Sequence, residues 1–143
     1  MFAPSQEQVR RFFCEAWSKH KGVMPLTPLE ALAVDWMVQH PEYHDDLADA
    51  DAAVARTYSV EDGRTNPFLH LSMHLSITEQ MSIDQPRGIK PALDKLAARR
   101  SSMHDAHHDA MEALGEMVWA AQRNGSPFDG EAYIARILSL ATR

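Results

Sequence analysis

Helix starts punctuate this chain, and nowhere does it alternate polar and apolar residues as a half-buried strand must. Ser5 with Gln8 and Thr27 with Glu30 have capping-box spacing, in which each side chain satisfies an orphan backbone N–H of the other's residue. Thr27-Pro28 and Asn66-Pro67 each set a capping residue before a proline, whose locked φ suits the first helical position. A chain written this way packs helix on helix. The expected fold is all-α: one domain over 1–143, a mainly antiparallel bundle of about five to six helices.

The apolar spacing fills in the elements. A first helix spans 5–21, with Val9, Phe12, Phe13, Ala16 and Trp17 as its stripe and Gly22 as its stop. A second opens at Thr27 and buries Leu29, Leu32, Ala33 and Trp36, with His40 one turn further on the same face. Pro41 disfavours helical geometry at His40, so a break is expected there, followed by a short helix over 41–50 that carries His44. Residues 51–65 offer only turn and cap signals. A third long helix covers 67–83, and 84–88 form a turn. A helical pattern then runs over 89–124, bent near Ser101-Ser102, and a final helix over 127–141 buries Tyr133, Ile134, Ile137 and Leu138. Trp17, Trp36 and Trp119 are expected as core anchors.

Composition narrows the function classes. A net charge of −6 argues against a nucleic-acid binder, which would need a basic stripe. Cys14 stands alone, so neither an intrachain disulfide nor a cysteine-rich zinc site can form. Beside Phe13 it reads as a buried core thiol. No apolar run approaches the ~18 residues of a membrane span, and the start lacks a signal-peptide h-region. The expectation is a cytoplasmic protein with no membrane partner. A homodimer stays open as the one partner expectation.

The chemistry-bearing feature is histidine spacing. Six of the eight histidines fall in pairs four apart: His40/His44, His70/His74 and His104/His108. Random placement would give about 0.4 pairs at this same-face spacing. On the 67–83 helix, His74, Ile77 and Met81 lie within about 40° of His70, so both rings share the apolar face, while Glu79 lies on the far side. On the long helix, His104, His108 and Glu112 make a ladder at the edge of a face formed by His107, Met111, Leu114 and Val118. If 67–83 and 89–124 were one antiparallel hairpin, His70 would stand level with His104, and all three pairs could gather at one bundle end. Pro41 makes His40/His44 the conditional pair.

Several stretches carry a family resemblance: Leu26-Thr27-Pro28-Leu29-Glu30, His40-Pro41-Glu42-Tyr43-His44, Asn66-Pro67-Phe68-Leu69-His70, Asp84-Gln85-Pro86 and Leu114-Gly115-Glu116. Over nearly its whole length the chain resembles the bacterial family catalogued as domain of unknown function 1841. That resemblance implies no activity. A looser likeness to hemerythrin-like and DinB-like bundles rests on helix count and inward histidine pairs, without either family's full ligand pattern.

Two functional readings follow. The first is a His/carboxylate metal site between helices, binding a transition metal such as zinc or non-haem iron. Its ligands are His70, His74, His104 and His108, then His40, His44 and Glu112, with Asp105, Glu42 and His107 as ring-orienting groups. The second is a non-catalytic structural or interaction protein whose histidines form a buried polar network or a pH-sensitive cluster. No substrate or reaction is legible.

Overall fold

In the computed structural model the described residues, 5–58 and 66–142, are helical with no strand among them. In order they form α1 (Gln6–Lys21), α2 (Pro28–Val38), a 3₁₀ turn (Pro41–Tyr43), α3 (His44–Leu47), α4 (Ala50–Ala55), α5 (Pro67–Ile83), α6 (Ile89–Arg100), α7 (Met103–Asn124) and α8 (Gly130–Ala141). Eight α-helices among the described residues exceed the five to six expected. The surplus comes from the two short helices after Pro41 and from a division of the long one.

Both capping boxes form as the sequence requires. Ser5 Oγ accepts the Gln8 N–H at 3.1 Å and Gln8 Oε1 accepts the Ser5 N–H at 2.8 Å. Thr27 Oγ1 and Glu30 Oε1 exchange the same pair of bonds at 3.2 and 2.9 Å. Asn66 Oδ1 accepts from the N–H groups of Phe68 and Leu69, which starts α5. Ser101 ends α6 in the left-handed region, φ 57°, and Ser102 immediately caps α7 by accepting from Asp105 N–H. The 89–124 segment is therefore two helices rather than one bent helix. A single left-handed residue followed by an N-cap stops one helix and starts the next. Of the undetermined stretch 51–65, α4 takes the beginning, and 59–65 lie outside the described residues.

The chain divides into two compact units, 1–75 and 76–143. In the first, α1 packs against α2, α3 and α4. Its core joins Phe13, Cys14, Ala16 and Trp17 of α1 with Ala33, Val34, Trp36 and Met37 of α2, and with Leu47, Ala53, Phe68 and Leu71. In the second, α6, α7 and α8 pack on one another around Leu93, Leu96, Ala110, Met111, Tyr133 and Ile137. Tyr133 there donates its hydroxyl to Gln80 at 2.9 Å.

Several expected core positions are corrected. Leu29 and Leu32 are 52% and 41% exposed, because α2 turns its 30/33/34/37 stripe inward instead. That stripe includes Glu30, whose carboxylate is paired with Lys19 at 2.9 Å and so can be covered. α2 carries apolar residues on all sides, so spacing alone could not choose the face. Trp119 is 59% exposed beneath the Arg123 guanidinium, and Val118 is exposed beside it. Ile134 and Leu138 are half-buried, while Tyr133 and Ile137 are fully inside. No helix among the described residues is long and apolar enough to cross a membrane.

Candidate metal centre

The site in the first unit begins at the end of α2. A helix leaves its last carbonyls without backbone partners. Here Trp36 O and Met37 O accept the backbone N–H groups of Gln39 and His40 at 3.2 and 3.1 Å, and side chains of Gln39 and two histidines add further bonds to this helix end. Gln39 donates from Nε2 to Asp35 O at 3.0 Å. His40 Nδ1 stands 2.7 Å from Trp36 O, and His44 Nε2 stands 2.9 Å from Met37 O. A carbonyl oxygen only accepts, so His40 carries its proton on Nδ1 and, when neutral, presents a lone pair on Nε2. This is the arrangement by which a backbone carbonyl orients a metal-binding imidazole.

The break at Pro41 separates the fates of His40 and His44. His40 leaves the helical region, φ −125° and ψ 67°, and its buried ring lies parallel to that of Tyr43 at 5.2 Å between centroids. His44 starts α3 beyond the 3₁₀ turn. Its Nε2 is committed to Met37, and its ring lies on Trp17 at 4.3 Å. The pair has helical spacing but does not share a helix.

Opposite His40 lie the two histidines of α5. His70 Nε2 is 3.2 Å from His40 Nε2 and 3.2 Å from His74 Nε2. The three rings stand 4.8–4.9 Å apart in centroid distance. His74 is fully buried and stacks on Trp36 at 4.0 Å and 16°. Trp36 therefore holds two of the three: its carbonyl fixes the His40 ring and its indole supports His74. Sequence reading placed Trp36 only as a core anchor. The available signal was its position four residues before His40.

The histidine cluster in this unit has a definite chemistry. One imidazole nitrogen bears a single proton or a single lone pair, so His70 Nε2 cannot form two good hydrogen bonds to two neighbouring nitrogens at once. A cation can accept lone pairs from such neighbouring nitrogens, where a shared proton serves only one pair. Two nitrogens bound to one ion at about 2.0–2.1 Å, with angles between octahedral and tetrahedral, stand about 2.8–3.4 Å apart. The observed 3.2 Å separations fall within that range.

In the second unit α7 presents His104 and His108 one turn apart, with their Nε2 atoms 3.1 Å from each other. This is the same-face approach that helical spacing dictates. His107, between them in sequence, is buried. Burial pushes its pKa down to about 4, with the charges of His104 and His108 adding to the effect. Glu112, one turn beyond His108, is exposed, as are Glu42, Glu79 and Asp105. The structure thus joins His40 to His70 and His74, and joins His104 to His108. It turns the Nε2 of His44 to a backbone carbonyl and leaves Glu112 on the surface.

A family model described as Domain of unknown function (DUF1841) matches residues 5–139. No curated protein and no solved structure matches the chain.

Proposed function

Because this chain belongs to the DUF1841 family, whose description names no activity, we propose its function from its own residues: it binds a transition metal through paired histidines held between helices. The observation that carries this reading is one nitrogen, His70 Nε2, set 3.2 Å from each of two others. Imidazole donors suit zinc, iron, nickel and copper and disfavour magnesium and calcium. Zinc or non-haem iron is the proposed occupant. His40, His70 and His74 are the proposed primary ligands, and His104 with His108 the second donor pair. Glu112 is the carboxylate available to join them, as ligand or as a base toward bound water. Tyr43, close to His40 and His70, would limit solvent access.

The reading is tested on untagged native protein by elemental analysis and by melting with added zinc or iron. The expected result is near-stoichiometric metal and a melting shift that a chelator reverses. His70→Ala, at a half-buried position, should lower metal affinity at least about 10-fold while the protein stays folded. Comparing His70→Ala with His104→Ala counts the ions. Loss of the same single equivalent in both means one shared site, and independent losses mean two. Metal below about 0.2 equivalents with no melting shift on adding metal would leave the alternative, a metal-free network of ring-to-ring hydrogen bonds.

A further inference from the structure

Arg10 is a second chemically unusual residue, and the histidines do not involve it. It lies on α1 and is only 7% exposed. Its Nη1 donates to the carbonyls of Ala53 and Arg56 at 2.8 and 2.6 Å, at the C-terminal end of α4. The guanidinium carbon stands 5.4 Å from the centroid of the Tyr58 ring and 5.5 Å from that of Phe68. Among the described residues no carboxylate pairs with it. A buried cation held only by neutral groups is costly unless a counter-charge arrives. Aromatic contacts occupy the flat faces of an arginine, while its hydrogen-bonding edge lies in the plane. With Nη1 engaged, Nε and Nη2 have no hydrogen-bond partner among the described residues and remain for a ligand.

A cavity of about 240 Å³ adjoins this residue, lined by Gln6, Val9, Arg10, Asn66, Phe68, Leu69 and Ser72. Its polar groups are biased toward donation. Asn66 Oδ1 is taken by the N–H groups of Phe68 and Leu69, which leaves the Nδ2 amide to donate. Gln6 adds another amide, Ser72 Oγ gives its proton to Phe68 O at 2.7 Å, and no described lining residue carries a negative charge. Val9, Phe68 and Leu69 give the rest of the wall an apolar character. A cationic fork, an amide donor and a short apolar wall match an anion with a small hydrocarbon body.

We propose that this cavity binds a small organic carboxylate, its carboxyl group on the Arg10 fork and the Asn66 amide and its short chain along Val9, Phe68 and Leu69. The site is independent of the metal reading, and its test is run with a chelator present. Full-length protein is titrated with butyrate at constant ionic strength, followed by calorimetry and by the Arg10 Nε–H NMR signal. Saturable one-to-one binding that moves this signal is expected. Asn66→Asp keeps the oxygen that caps α5 but gives Arg10 an internal counter-ion. It should stay folded and weaken butyrate binding at least 10-fold. The proposal is overturned if butyrate binds no better than chloride or inorganic phosphate. Butyrate saturating without moving the Arg10 signal, or Asn66→Asp binding like the unaltered protein, overturns it equally.

Discussion

His40 and His44 differ by four positions in sequence and by their whole environment in the structure. Each caps a carbonyl of α2, but only His40 turns its other nitrogen toward His70. Replacing either by alanine removes one hydrogen bond to a helix end, a loss of about 0.5–1.5 kcal/mol measurable by denaturant unfolding. Only His40→Ala should also weaken zinc binding, by about 10-fold or more in a competition titration with a chromogenic chelator. Equal metal affinity in the two variants would show that His40 is not a ligand. Cys14 illustrates the opposite case, a potentially reactive group silenced by its surroundings. Burial pushes its thiol up to about 11. Since only the thiolate attacks, iodoacetamide should alkylate the folded protein at pH 8 at least about 100-fold more slowly than a free cysteine. A rate near that of the unfolded chain would contradict its burial.

At the scale of the element, α2 is the helix whose face spacing alone could not assign, and Glu30 shows what decided it. The Thr27 N–H, then the Lys19 ammonium, hold the Glu30 carboxyl below its usual range. A group whose pKa is lower folded than unfolded contributes stability that is present above its unfolded value and disappears as pH falls through the folded one. The melting difference between the unaltered protein and Glu30→Gln should therefore be largest near neutral pH and vanish in acid, below the lowered value. A difference that persists unchanged into strong acid would mean that the carboxylate charge plays no part. The split between α6 and α7 belongs to this scale too. Apolar spacing continues through 89–124, so periodicity reads one helix. Two serines, one left-handed and one capping, are enough to end it because neither conformation is helical.

Across the whole molecule, tryptophans distinguish inside from outside. Trp36 is buried against His74 and its carbonyl holds His40, whereas Trp119 lies on the surface of α7 under Arg123. Trp36→Ala should cost about 3–5 kcal/mol and metal affinity together. Trp119→Ser should change stability by no more than about 0.5 kcal/mol in the same urea titration. Comparable losses would return Trp119 to the core. The sequence by itself determined the all-helical fold, both capping boxes, the start of α5 at Asn66-Pro67, and the inward direction of His70 and His74. These follow from interactions within a turn or two of chain, where spacing and local hydrogen bonding are sufficient. Only the tertiary structure decided which side of α2 is buried, that Trp119 stays outside, that His40 rather than His44 meets His70, and that Arg10 is covered without a carboxylate among the described residues. Each depends on groups from separate elements meeting in space, such as Lys19 with Glu30 or the end of α2 with α5. Local periodicity carries no record of such meetings.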